Sequence, residues 1–378
     1  MAVSRRTILT TFAGAASAAA QTSATKRAAA LPATRISPLD GVAREKIKIT
    51  NIEVISLAYR LKPDEEWPDG DNNMIIWKTE SVIVRLSTDA GLTGIGGCSR
   101  YNGPAEMKQY AETVVKPLLL GKNPFDVETL AAGLCGPRAR GVWAGIDTAM
   151  WDIIGKAKGV PLYRLLAIDT KPETHIRVYA SGGEFTWRKG SRFPGPDDLI
   201  KQALRHKEAG YTAFKFRPGG GFGKLGITIR DFTPYHYQLR KAVGPDFNLI
   251  QEANTRWSVA QCLEIAPVLE ELKFTWFEEP TRKVVEDYLT IKKALPTVKI
   301  SGGETMPNRG TLADWVDRGG YDIVQHGADD AGITEAWRMA RFAASRGKLL
   351  CAHNWQDGLD YRQRAPDGLG AQSLPARN

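Results

Sequence analysis

The chain has 378 residues, long enough for two domains with sizeable cores, and its 43% apolar and 25% charged residues are ordinary for a globular protein. The net charge of +9 belongs mainly to the ends: residues 1–45 carry +4, the tail from Tyr361 carries +2, and the body between them only +3. With no basic stripe interleaved with aromatics and no run of about 20 apolar residues, nucleic-acid binding and a membrane span are excluded as starting points.

The chain opens on Ser4-Arg5-Arg6-Thr7-Ile8-Leu9, a mildly apolar run and the small-residue triplets Ala16-Ser17-Ala18 and Ala18-Ala19-Ala20. A charged start, an apolar middle and small cleavage residues make an export signal, and the arginine pair resembles a twin-arginine signal. The mature protein is therefore expected in the periplasm or secreted, with residues 1–45 serving as signal and linker. Residues 47–60 alternate apolar and polar, which predicts a strand, and Ser81–Leu86 predicts a second. Asp89-Ala90-Gly91 turns the chain into a third strand near Ile95, and helical stretches follow at about 105–117 and 126–134. A helix is predicted around Ile146, Ala149, Met150, Ile153 and Ile154, stopped by Gly159 and Pro161. This makes an α+β capping domain over 46–170.

From His175 the pattern changes to strand then helix, repeated. Strands are predicted at 176–181, 212–217, 247–252, 274–278, 298–302, 321–325 and 348–353, with helices between, such as Thr334–Arg346. Seven such units in a row predict a parallel (β/α) barrel, of the TIM type, over 171–356, with its chemistry at the strand C-termini. Cys98, Cys135, Cys262 and Cys351 are widely spaced and form no CxxC pair, so they read as small buried hydrophobes. The Gly-rich stretch 219–226 lacks the Lys-Ser/Thr ending of a phosphate loop and reads as an active-site loop.

The predicted strand ends carry polar residues. Lys215 and Arg217 close the second, Glu252 the third and Glu278 the fourth; Glu304 follows the fifth and His353 closes the seventh. The three glutamates are 26 residues apart each time, about one βα unit, so equal steps place them on adjacent strands. Three carboxylates facing one barrel mouth repel one another and call for a divalent cation. All-oxygen ligands suit Mg²⁺ or Mn²⁺ rather than zinc.

The segment ending in WDIIGKAKGVPLYRLL, the Lys215/Arg217 pair, the Glu-Ala-Asn at 252–254, the FEEP at 277–280 and the GGET at 302–305 resemble the mandelate racemase and muconate-lactonising group of the enolase superfamily. The resemblance covers about residues 47–355. It implies Mg²⁺ ligation by Glu252, Glu278 and Glu304, although the first of these is usually an aspartate. It implies removal of a proton α to a carboxylate, with the cation stabilising the enediolate. Lys215 is then expected beside the substrate carboxylate. Arg217 replaces the family's second lysine; an arginine stays protonated and serves as a clamp rather than a base. Base duty passes to His353. Relatives orient that histidine with an aspartate after the sixth strand, where this chain has Gly327; Asp329 or Asp330 can substitute, or His326 can enter the site. Asn254, Glu279, His326 and Asn354 are expected as substrate-binding or supporting groups.

One base favours syn β-elimination over two-base racemisation, so the expected reaction is dehydration of a sugar acid to a 2-keto-3-deoxy acid. A racemase or epimerase is the alternative, and a non-catalytic metal- or ligand-binding member is another. The expected partner is a small-molecule acid, and a homo-oligomer is expected if the barrel is complete enough to fold. Residues 357–378 show neither a strand-like run nor a helical face, so the barrel is expected to lack its eighth strand.

Overall fold

The computed structural model describes residues 37–69, 74–99, 103–134, 140–167, 171–172, 175–183, 196–218, 226–306, 309–353 and 371–373. The expected export signal, Cys135, most of the Gly-rich stretch and Asn354 lie outside the described residues.

The first domain is built on a three-stranded antiparallel sheet, β1 (Ile49–Arg60), β4 (Lys78–Thr88) and β5 (Thr93–Gly97). Register pairs such as Ile52↔Leu86 and Val54↔Val84 put the apolar partners on one face, as alternation requires. Between β1 and β4 lies a hairpin, β2 (Trp67–Asp69) and β3 (Met74–Ile76), whose three-residue strands are too short to show a period. Helical segments follow: α1 (Pro104–Tyr110), a π turn over Ala111–Val115, α2 (Lys116–Leu119) and α3 (Val127–Leu134). The long α4 (Arg140–Lys158) then lies directly on β5, and α5 (Leu162–Leu166) closes the domain. The approach of α4 is close because Gly94 and Gly96 carry no side chain: a Cβ at either would stand 2.0 Å from the carbonyl oxygen of Ala149 or Gly145. Ile52, Val84, Leu86, Ile146, Met150 and Ile153 fill the core of this layer pair.

The second domain alternates β6 (Val178–Gly182), α6 (Leu199–Glu208), β7 (Ala213–Phe216), α7 (Ile229–Val243), β8 (Asn248–Glu252), α8 (Val259–Glu271) and β9 (Trp276–Glu278). It continues through α9 (Val285–Lys293), β10 (Lys299–Gly302), α10 (Arg309–Asp317), β11 (Ile323–Val324), α11 (Ala328–Ser345) and β12 (Leu349–Leu350). The seven strands β6 to β12 pair in chain order and all parallel. Each expected strand is present, shorter than its sequence pattern. Thr228 with Asp231 and Ser258 with Gln261 form capping boxes that start α7 and α8, each cap contributing about 1 kcal/mol.

Period two divides every strand between two cores. Phe214, Phe216, Leu249, Phe277, Ile300 and Val324 point outward and pack under the helices. Tyr179, Ala213, Ile250, Trp276, Ile323 and Cys351 point inward and fill the barrel. Cys98 and Cys262 are also buried, in the first domain and under the helices respectively.

Among the described residues no eighth parallel strand follows β12. The tail nevertheless contributes a strand that its sequence does not announce: β13 (Ala371–Ser373) pairs antiparallel with the free edge of β6, through Ala371↔Ala180 and Ser373↔Val178. An edge strand of three residues is recruited by backbone hydrogen bonds and needs no side-chain pattern.

The domains are joined by a buried polar cluster. The Thr334 backbone N–H donates to Asp147 Oδ2 at 3.0 Å and its hydroxyl donates to Asp147 Oδ1 at 2.5 Å, while Trp151 Nε1 donates to Thr334 Oγ1 at 2.9 Å. Ser99 Oγ donates to Asp330 Oδ1 beside it. Burial pushes the Asp147 carboxyl up to about 6.

Candidate active site

Two residues beyond the apolar barrel layer, the same inward faces become polar. Ser181, Lys215, Glu252, Glu278 and Ser301 continue the inward faces of β6 to β10, and all five are buried. Backbone bonds from Gln325 N to Gly302 O (2.9 Å) and from Cys351 N to Val324 O (2.9 Å) carry the ladder past β11, so Gln325 and His353 continue the inward faces of Ile323 and Cys351.

Lys215 is at the centre. Its Nζ donates to Glu252 Oε2 at 2.8 Å and to Glu278 Oε1, and lies 5.6 Å from the ring centroid of Tyr179. Burial opposes its charge, but the two carboxylates outweigh that and hold it protonated above the ordinary lysine range. Glu252 also accepts from the Asn254 backbone N–H at 2.9 Å, and Glu278 accepts from Trp276 Nε1 at 3.0 Å. Burial and Glu252, its register partner on the next strand, push the Glu278 carboxyl up. Glu252 is held below the ordinary range: burial works against its charge, and Lys215 chiefly reverses that, with Arg217 adding to it. Arg217 is half-buried just past β7.

Glu304 lies two residues past β10, its Oε2 2.9 Å from His353 Nε2. Burial alone would raise its pKa, but His353, then Lys215 and Lys283, keep it well below the carboxylate range. Burial disfavours an imidazolium at His353, yet Glu304 and Asp329 on its two sides push its pKa well above neutrality.

Of Asp329, Asp330 and His326, it is Asp329 that stands beside His353. Asp329 Oδ2 is 3.7 Å from His353 Nδ1, a charge contact longer than a hydrogen bond. Asp330 turns to Ser99 of the first domain instead. His326 is buried one residue beyond Gln325. Gly327 follows from this geometry, because a Cβ there would stand 2.1 Å from Asp329 Oδ1 and 2.3 Å from the carbonyl oxygen of His353. The carboxylate of Asp329 fills the space that a side chain at 327 would need.

Glu279 does not face the barrel mouth. Its Oε1 accepts from the Gly303 N–H at 3.0 Å and its Oε2 is 3.1 Å from Lys283 Nζ, which also donates to Thr305 Oγ1. It thus ties the end of β9 to the turn that presents Glu304. Asn254, Thr255 and Glu279 have positive φ of 48°, 60° and 41°. Among the described non-glycine residues, only Lys273 shares that conformation, so the strain gathers at the ends of β8 and β9, where structures tend to store it for function. Trp276, Tyr179, Ser301, Gln325 and Lys283 are site residues that spacing alone did not single out; carrying the two-residue stride along each strand would have found the first four.

Glu252, Glu278 and Glu304 supply only oxygen donors, are buried, and sit on consecutive strand ends. Among the described residues they are not drawn into one closed cluster: Lys215 rests on two of them and His353 on the third. Glu252 and Glu278 pair in register and share the Lys215 ammonium. Crowded, mutually repelling buried carboxylates of this kind fit a hard divalent cation, which would compete with Lys215 and His353 for their oxygens.

Comparison with known proteins finds relatives of both domains. Residues 74–167 match the mandelate racemase / muconate lactonizing enzyme N-terminal domain, and residues 198–365 match the enolase C-terminal domain-like family. The arabinonate dehydratase of Saccharolobus solfataricus is 28% identical over 325 residues, covering 82% of each chain. The D-gluconate/D-galactonate dehydratase of Picrophilus torridus is 27% identical over 292 residues, 74% of this chain and 72% of that one. A crystal structure of an enolase-superfamily member from Polaromonas sp. JS666 superposes with a TM-score of 0.69 at 28% identity, covering 81% of this chain and 79% of the other. Both domain models match in the order found here and together cover more than half of the sequence; the chain belongs to the mandelate racemase and muconate-lactonising family of the enolase superfamily.

Proposed function

We propose that this protein is a lyase that dehydrates a sugar acid to its 2-keto-3-deoxy acid, using Mg²⁺, or Mn²⁺ in its place, held by Glu252, Glu278 and Glu304. The observation that carries this is the arc at the strand ends: three buried carboxylates on β8, β9 and the β10 turn, with a protonated lysine at one end and a histidine at the other. The relatives named as sugar-acid dehydratases support the same reading.

A cation held by Glu252, Glu278 and Glu304 would neutralise their charge and stabilise the negative charge that develops on the substrate's carboxylate. The chain's own groups do the rest. Lys215 remains protonated in its buried position and offers a fixed positive charge beside the enediolate as it forms. Arg217 clamps a carboxylate or hydroxyl near Glu252 and moves no proton. His353 Nε2 points into the site and Nδ1 towards Asp329. Against the cost of burial, Glu304 holds His353 protonated; with Glu304 engaged by a cation that restraint would be withdrawn, and the neutral imidazole would take the α-proton on Nε2. The electron pair left on the α-carbon then expels the 3-hydroxyl, which leaves as water with that same proton. The enol tautomerises to the 2-keto acid. Asp329 stabilises the imidazolium between the two steps.

The test is α-proton exchange in D₂O across a library of acid sugars, with Mg²⁺ and with a chelator. Exchange and a 2-keto product with Mg²⁺, both lost on chelation, are expected. No exchange for any acid would end the dehydratase reading, and exchange with inversion but no loss of water would identify an epimerase. The amino-terminal twin-arginine pattern supports export of this activity, which fractionation of cells expressing the full chain would check.

A further inference from the structure

The polar layer of the barrel mouth contains two kinds of group. Its charged members are all engaged with one another. Two neutral members, on adjacent strands, are not: Gln325 is 0% exposed with neither Oε1 nor Nε2 hydrogen-bonded among the described residues, and Ser301 is 0% exposed with its Oγ likewise unpaired. Ser301 pairs in register with Glu278 on one side and with Ile323 on the other, so all three share the inward face. Gln325 lies one stride further along β11, past Ile323.

A buried amide with both ends unpaired is costly, and a methionine or leucine of similar size would fill the space without that cost. Such a group is retained where a ligand completes it. The chemistry of the two side chains narrows the ligand. An amide offers one acceptor and two donors, and a hydroxyl offers one donor with two acceptor lone pairs. A ligand hydroxyl can receive from Nε2 and donate to Oε1 of neighbouring groups, whereas a carboxylate would be repelled by Oε1 and by the glutamates beside it. The place narrows it further. β11 runs between β10, which leads to Glu304, and β12, which leads to His353, so Gln325 lies on the histidine side of the carboxylates, with Ser301 between it and Glu278.

We infer that Gln325, together with Ser301, is a specificity-determining pair that binds a substrate hydroxyl beyond the two carbons where the chemistry occurs. The substrate class becomes an acid with a hydroxylated chain of at least four carbons, rather than a short hydroxy acid. This rests on the sugar-acid reading for its substrate class and on the unpaired buried groups for its site.

Calorimetry with Mg²⁺ tests it. The ligands are five- and six-carbon aldonates, their analogues lacking one hydroxyl from C4 outward, and lactate; the proteins are the wild type, Gln325→Met and Ser301→Ala. The wild type is expected to bind a full aldonate about tenfold more tightly than the analogue missing the contacted hydroxyl, and Gln325→Met to bring the two within about twofold of each other. Without acid, Gln325→Met should melt at the same temperature as the wild type or higher, because it removes an unpaired buried amide. Equal weakening towards all ligands, a melting temperature lowered by several degrees, or no hydroxyl dependence in the wild type would each overturn the inference. The two readings separate cleanly. If no acid exchanges its α-proton but Gln325→Met still erases a hydroxyl-dependent difference in affinity, dehydration fails and the binding site stands. Exchange with no such difference gives the reverse.

Discussion

The apolar layer of the barrel, from Tyr179 to Cys351, and the polar layer two residues further along the same strands share one backbone and differ in almost everything else. In the first, side chains of ordinary size interlock and nothing is charged. In the second, three glutamates, a lysine and a histidine are held out of water with their charges in close opposition. Burial stabilises the first layer and opposes the second. The difference teaches where this fold gains its stability and where it gives some up, and that the boundary between the two is a single stride of a β-strand.

Substitutions across that boundary should separate the two layers. The largest effect is expected from Glu278→Gln. Turnover should fall by on the order of 10³-fold, while the melting temperature holds or rises, because burial already disfavours the Glu278 carboxylate. A matched loss of stability would show that the carboxylate is part of the scaffold. Lys215→Met should cost about 3–5 kcal/mol in denaturant unfolding, since it strands two buried carboxylates, and added Mg²⁺ should restore part of that. Full stability without the cation would mean that the carboxylates are already neutral. On the apolar layer, Ile250→Ala should cost about 2–5 kcal/mol and leave turnover per folded molecule within a few-fold of the wild type. A specific loss of turnover would show that the layers are not separable.

The smallest effect concerns the joint between domains. The Asp147 carboxyl titrates near 6 in the folded protein, above its ordinary value of 3.8. The folded state therefore binds that proton more tightly than the unfolded chain. The resulting stability is fully present below about pH 4 and is lost as pH rises through about 6. Asp147→Asn should flatten this part of the melting temperature–pH profile, a change of about 3 kcal/mol at most. An unchanged slope would assign it to other groups.

The sequence made the strand order and the acid spacing legible because both are local. Each βα unit carries its own apolar run and turn, and Glu252, Glu278 and Glu304 recur at the unit's length. What stayed hidden depends on distant approach. Lys215 reaches carboxylates 37 and 63 residues away, and no short pattern records that contact. Asp329 could be offered as a partner for His353 but not chosen over Asp330, because the choice depends on Gly327 leaving room and on Ser99 of the other domain engaging Asp330. Gln325 is a neutral residue at the end of an apolar run, and only its unpaired burial marks it. The β2–β3 hairpin and β13 are held by backbone bonds in stretches too short to carry a period.

The start of α11 reaches the other domain on both sides of a break in the helix at Gly332 (φ 81°). Asp329 faces His353, Asp330 receives the Ser99 hydroxyl, and Thr334 locks onto Asp147 and Trp151 of the first domain. On the proposed chemistry, one short segment sets both the docking of the first domain and the position of Asp329 beside His353, so the two are expected to be linked. Loosening the Asp147–Thr334 contact is then expected to move Asp329 while leaving Glu252, Glu278 and Glu304 in place. Residues of the domain interface would in that case tune His353 from a distance.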